Sequence, residues 1–335
     1  MNPTGGPRRS PGDDPEVVTL GECLVAFVGA EAASLADAPT LTRHVAGAEA
    51  NVAVGLVRLG HPSTFIGRVG DDPFGTTIVR RLRGEGVDVA HLPVDPAPTG
   101  LLFRDRRSVG PREVAYRRAG SAGSRLAAAD VDAAEAVIAA ARWLHLSGIT
   151  PALSDSARAA ADRAVELARR HGLTVSLDVN LRRRLWSDAD AVEVLRPLAG
   201  RVDVVLAGLE EGAVLAGLAP SSGAEEVAVA VAAATGARVV IKLGRAGALA
   251  LDRDGEVVRR PAIPVPLAVD PVGAGDAFCA GWIAAQLEGM EPAAALDLAN
   301  ACGAAAVGSV GDQEGLPTRE EVDRLLGVDA EEVIR

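Results

Sequence analysis

From Val17 onward, short apolar runs alternate with helical stretches, and this alternation limits the fold more than any other feature of the chain. The strand-like runs are residues 17–20, 63–68, 143–146, 174–177, 202–206, 238–243 and 248–251. The helical runs are residues 50–59, 76–84, 130–141, 154–170, 208–216, 224–234, 277–287, 292–309 and 319–326. A strand that is apolar on both faces has to be covered on both, and a helix between two strands makes them parallel. The expected fold is therefore α/β, a largely parallel sheet sandwiched by helices. Aromatic residues make up only 3% against 48% hydrophobic residues, so Val, Leu, Ile and Ala must fill the core.

Two stretches break the alternation. Residues 29–45 and 99–120 are extended and mixed polar, and they are expected to pair as a small antiparallel β-sheet lid. Residues 1–15 are rich in Pro, Gly and charge, which predicts a disordered tail before a single domain over 16–335. The net charge of −11 argues against nucleic acid and against an anionic membrane as partners. No charge-free apolar run is long enough to suggest a membrane span. Cys23, Cys279 and Cys302 are few, odd in number and widely spaced, which suggests buried thiols in a reducing, cytoplasmic setting. Arg8-Arg9 ahead of an apolar stretch has the look of an export signal, but Asp13, Asp14, Glu16 and Glu22 interrupt it. The stretch reads better as a first buried strand.

Residues 270–278 read Asp-Pro-Val-Gly-Ala-Gly-Asp-Ala-Phe and run into a helix. Glycines let consecutive backbone N–H groups converge, and a helix N-terminus adds its positive end to the same point. Asp276 stands there as a carboxylate. Donors for a developing charge beside a base for a hydroxyl proton are what phosphoryl transfer to an alcohol requires. By itself such a short motif also fits a simple capped loop. Lys242 is the only lysine and Tyr116 the only tyrosine in an arginine-rich chain, which marks both positions. Further glycine-rich or polar turns lie at 46–51, 67–75 and 178–182, at strand ends or helix starts, where open α/β sheets bind ligands.

On these motifs, in this order, the chain resembles the ribokinase-like (PfkB) sugar kinase family from about residue 17 to about 318. The resemblance implies ATP, Mg²⁺ and phosphorylation of a sugar hydroxyl. It implies Asp276 as the general base and Gly273, Ala274 and Gly275 as the anion hole. It places Lys242, Gly244, Gly247, Asn300 and Asn180 along the nucleotide. Glu211, in Gly208-Leu209-Glu210-Glu211, would order Mg²⁺-bound waters. Segments 116–124, 145–150, 178–186 and 311–318 are most similar to the members that act on 2-keto-3-deoxy sugar acids. That similarity implies phosphorylation of 2-keto-3-deoxygluconate at its C6 hydroxyl, with a fructokinase or another sugar kinase as the alternative. A non-catalytic sugar-acid sensor is the second alternative. Gly47, Asn51, Tyr116, Arg118 and Arg182 would contact the sugar acid, the arginines gripping its carboxylate. Ala26 stands where many neutral-sugar kinases carry an aspartate. Pro271 and Val272 replace two threonines usual in the family, and Gly208 replaces an asparagine. A homo-oligomer joined through the lid is also expected.

Overall fold

A computed structural model of the chain describes residues 15–31, 33–106 and 113–327. In chain order the elements are β1 (Val17–Leu20), β2 (Leu24–Gly29), β3 (Leu41–Ala46), α1 (Ala48–Arg58), β4 (Ser63–Ile66), β5 (Val69–Gly70), α2 (Pro73–Gly84), β6 (Val94–Asp95), β7 (Leu101–Arg104) and β8 (Val114–Arg117). The next are α3 (Ala128–Ala133), α4 (Glu135–Ala140), β9 (Trp143–Ser147), α5 (Asp155–Arg170), β10 (Thr174–Asp178), α6 (Asp188–Ala199), β11 (Val204–Gly208) and α7 (Leu209–Ala216). The last are α8 (Ala224–Thr235), β12 (Arg238–Lys242), β13 (Ala248–Leu251), β14 (Val257–Arg260), α9 (Ala274–Leu287), α10 (Pro292–Ala306) and α11 (Arg319–Leu326). Of the expected tail, all but Pro15 lies outside the described residues.

The main sheet has eight strands in the order β14-β13-β12-β11-β10-β9-β1-β4. The run from β12 to β4 is parallel, and β13 and β14 finish one edge antiparallel. Alternate residues of each strand feed two separate cores. Val17, Phe65 and Val240 pack with α1, α9 and α10, whereas Val18, Ile66, Val239 and Ile241 pack with α5, α7 and α8. This two-sided burial explains why the strands read as unbroken apolar runs. Helix α9 is buried almost all round because it lies between the sheet, α1 and α10. Its N-terminal end, which carries Asp276, is thereby held in place.

The lid is a separate four-stranded sheet, β3-β2-β7-β8. It departs from the expectation in two ways. Its first strand, β2, precedes the 29–45 segment, and the two antiparallel hairpins join through a parallel β2–β7 pairing. Other boundaries also moved. The expected helix at 130–141 divides at Ala134 into α3 and α4, and α9 begins at Ala274 rather than at 277. Helix α6, with Pro197 inside it, and the edge strand β14 were not legible as elements. No described helix is long and apolar enough to cross a membrane.

Candidate active site

A cleft of about 1030 Å³ opens between the lid and the carboxyl ends of the parallel strands. Glu22 follows β1, Ile149 follows β9, Asp178 and Asn180 end β10, Glu211 follows β11 and Lys242 ends β12, and all of them line it. Parallel strands deliver their carboxyl ends to one side, so the ligand crevice follows from the topology. The lid contributes Leu102, Arg104, Tyr116 and Arg118.

Asp276 lies in the first turn of α9 and lines the cleft. Burial pushes its carboxyl up to about 7, the neighbouring charges of Asp178 and Asp312 act the same way, and a hydrogen bond from Asn51 and the Arg182 charge oppose the rise. A carboxylate tuned near neutrality suits a general base. Asn51 Nδ2 donates to Asp276 Oδ2 at 2.8 Å, and Gln313 Nε2 donates to Asn51 Oδ1 at 3.2 Å. Asn51 is 1% exposed and does not line the cleft; it stands directly behind Asp276. One of its two amide N–H groups goes to Asp276.

Gly273 caps α9 at φ 80°, where a Cβ would fall 2.5 Å from the carbonyl oxygen of Asp312. Only glycine fits that approach. Gly273 and Gly275 line the cleft, and Ala274 between them does not. First-turn amides have no acceptor within their own helix, so those of Gly275 and Asp276 are available to an anion, whereas that of Ala274 makes a long bond of 3.4 Å to the Pro271 carbonyl. Gly47, at φ 152°, opens α1 where a Cβ would meet the Glu22 carbonyl oxygen at 2.5 Å.

Lys242 Nζ lies 2.8 and 2.7 Å from the two carboxylate oxygens of Asp178, and it would lie 3.6 Å from a Cβ on Gly275. The single lysine is therefore beside the glycine loop. Burial works against its charge, but electrostatic attraction to Asp178, Cys279 and Glu211 and the hydrogen bond to Asp178 together hold its ammonium well above the usual range. Cys279 lies beneath, with Sγ 3.5 Å from Asp178 Oδ2, and all three cysteines are free and buried. Asn180 lines the cleft with φ 39°, the only positive φ outside glycine among the described residues. Gly244, Gly247 and Asn300 do not line this cleft. Gly247 makes a close backbone turn, and Asn300 Nδ2 donates to the Pro261 carbonyl at 3.1 Å.

The arginines differ in their commitments. Arg118 Nε donates to Glu22 Oε2 at 2.7 Å, its Nη2 pairs with the same oxygen, and Ser121 Oγ donates to Oε1 at 2.5 Å. Arg118 also stacks over Tyr116, 5.3 Å from the ring centre. Arg118 is thus turned partly toward the buried carboxylate of Glu22. Arg183 pairs with Asp188 and Glu210 on the surface, and Arg184 donates to the Val114 carbonyl of the lid. Arg182 lines the cleft near Asp276 with no ion pair among the described residues. Ala26 is fully buried in the apolar interior of the lid and does not line the cleft, so it does not act on a ligand directly.

Among the described residues there is no group of three or more His, Cys, Asp or Glu that holds a metal in a protein cage. Glu211 Oε1 accepts from the Leu181 amide at 3.1 Å and Oε2 from the Gly208 amide at 2.7 Å. Each oxygen keeps a lone pair that can take a metal-bound water.

An open α/β sheet with a lid, a glycine loop at a helix N-terminus and a half-buried aspartate on the cleft wall define a phosphotransferase site. The chain belongs to the pfkB family of carbohydrate kinases, whose profile it matches over residues 14–319. It is 39% identical over 315 residues to the 2-dehydro-3-deoxygluconokinase of Thermoproteus tenax, covering 92% of this chain and 94% of that one. It is 37% identical over 314 residues to the enzyme of the same name from Bacillus subtilis, covering 93% and 95%. The crystal structure of 2-dehydro-3-deoxygluconokinase from Thermotoga maritima superposes with a TM-score of 0.85 at 27% identity, covering 93% of this chain and 98% of that one.

Proposed function

We propose that this chain phosphorylates 2-keto-3-deoxygluconate (2-dehydro-3-deoxy-D-gluconate) at its C6 hydroxyl with ATP. The observation that carries the reading is Asp276 at the N-terminus of α9, in the same cleft as Arg182, which has no ion pair among the described residues. Asp276 takes the C6 hydroxyl proton as that oxygen bonds to the γ-phosphorus, and the bond to the β-phosphate oxygen breaks to release ADP. Amides at Gly273, Ala274 and Gly275 stabilise the phosphoryl oxygens. Lys242 adds positive charge beside them, with Asp178 holding it in place. Mg²⁺, when bound, offsets the charge on the phosphates, and Glu211 takes hold of its water shell. Gly244, Gly247, Asn180 and Asn300 belong to the nucleotide side. Gly47, Tyr116, Arg118 and Arg182 surround the sugar acid, with Arg182 the foremost partner of its carboxylate and Asn51 fixing the base.

The enzyme is further proposed to be cytoplasmic, in keeping with its three free thiols. Copies are proposed to join through the lid, whose order leaves β3 and β8 as edges. The test is a kcat/KM panel of 2-keto-3-deoxygluconate, 2-keto-3-deoxygalactonate, fructose, ribose and adenosine. The sugar acids should exceed the neutral sugars by about two to four powers of ten. Fructose or ribose equal to the acids would make this a general sugar kinase. Binding of the acid without turnover would make it a sensor.

A further inference from the structure

Between its two aspartates, the loop at 270–276 carries no hydroxyl, amide or charged side chain. Pro271, Val272, Gly273, Ala274 and Gly275 have no polar side chain, and the backbone bonds of the loop include Ala274 N–H to the Pro271 carbonyl at 3.4 Å and Asp270 N–H to the Val307 carbonyl at 3.1 Å. The side-chain anchor of the loop is its first residue. Asp270 is 3% exposed, its Oδ1 accepts from the Val272 amide at 3.3 Å, and its Oδ2 accepts from Arg104 Nη1 at 2.6 Å. Arg104 is the last residue of lid strand β7 and is 4% exposed. The last residue of a lid strand thus grips the first residue of the loop that ends at Asp276.

A buried pair of this kind is hard to break, because Arg104 left alone would be a buried charge without its carboxylate. Asp270 takes only one edge of the guanidinium: Nε and Nη2 are buried without a partner among the described residues, and Arg104 lines the cleft. On the far side of the loop, the Asp312 backbone abuts Gly273, and the Arg104 charge is felt at Asp312. The loop is therefore clamped between Arg104 and Asp312.

The same strand reaches the sugar side. Leu102 pairs with Tyr116 and Arg104 with Val114 in one antiparallel ladder. Tyr116 and Arg104 are therefore tied to each other through one backbone ladder.

We propose that Arg104 is a positioning residue for phosphoryl transfer: it braces the 270–276 loop in its anion-holding shape and couples that loop to occupancy of the sugar site under the lid. Arg104 acts through Asp270 and need not touch substrate. The proposal rests on the kinase reading above.

The test uses the full chain. Arg104→Gln should lower kcat by about 10- to 100-fold and leave KM for the sugar acid within about threefold, because the loss falls on the transition state. Arg104→Lys should recover part of kcat, since an ammonium can pair with Asp270 but lacks the fork. Asp270→Asn, nearly isosteric, should resemble Arg104→Gln, and the double variant should stay within about threefold of the worse single one. In hydrogen exchange, the sugar acid should protect 270–276 in the wild type and not in Arg104→Gln. A folded Arg104→Gln with wild-type kcat, a double variant that loses the product of both factors, or unchanged protection of the loop would overturn the proposal. If Arg104→Gln does not fold, Asp270→Asn alone decides by the same kcat and exchange criteria. Should the wild type turn over no sugar, the kinase reading fails. The brace is then still judged by faster ligand-free exchange of 270–276 in the variants, and equal exchange would refute it.

Discussion

Asp276→Asn should make the protein inactive and, above neutral pH, more stable. The native carboxyl is raised from 3.8 to about 7. A shift of about three units is worth roughly 4 kcal/mol at 1.36 kcal/mol per unit. Asp276 keeps some access to the cleft, and screening by water leaves on the order of 2 kcal/mol of this. The native state binds the proton more tightly than the unfolded chain does. Stability associated with Asp276 is therefore fully present below about pH 4, falls as pH rises, and is lost above about pH 7. Asparagine removes the titration, and its carbonyl still accepts from Asn51. The variant should exceed the wild type by about 2 kcal/mol in urea unfolding at about pH 8, with roughly half that gap at about pH 5.5. At the same time kcat should drop by about 10²–10⁴, because the amide cannot take a proton. Equal stability at both pH values, or a gap that does not change with pH, would refute the burial argument. A variant retaining more than about a tenth of wild-type kcat would remove Asp276 as the base.

Other outcomes follow from neighbouring groups. Wild-type kcat should rise with pH to a plateau above about 7, and Asn51→Ala should move that midpoint upward by about one unit, read from a pH–rate profile. Arg182→Ala should cost the sugar acid about 10- to 100-fold in kcat/KM and spare fructose, measured by coupled ADP release. EDTA should abolish turnover and Mg²⁺ restore it, since the phosphate charge needs a cation. Gly281→Ala should destabilise by about 1–3 kcal/mol in thermal unfolding, because its Cβ would sit 2.8 Å from Cys302 Sγ in the α9–α10 crossing.

The parts of this protein that were legible in its sequence are those written locally. Two-sided strands announce themselves as apolar runs, and the loop before α9 announces itself by glycines followed by Asp276. Helix α6 was hidden because Pro197 lies within it, and β14 because its valines sit next to two arginines at a sheet edge. The lid was recognised as irregular, but its β2–β7 pairing joins residues far apart and leaves no local trace. The same holds for side-chain partners. Asn51 and Asp276 meet across 225 residues of chain, and Arg104 and Asp270 across 166. Such contacts depend on where the topology delivers two strand or helix ends. The contacts of Asn51 with the base and of Arg118 with Glu22 could therefore not be foreseen from the motifs that carry those residues.

The Lys242–Asp178 pair has a practical consequence for chemical labelling. Every other basic side chain besides histidine is an arginine, so amine-directed reagents have no side-chain target on the exterior. Apart from the α-amine, the one primary amine lies in the cleft, 16% exposed and locked as an ammonium by its carboxylate. Acylating agents attack the neutral amine, so the native protein should resist them far more than an ordinary lysine-bearing protein does. Asp178→Asn would release that proton more readily and turn Lys242 into a singular reporter, whose labelling rate reads occupancy of the cleft without any background from the surface.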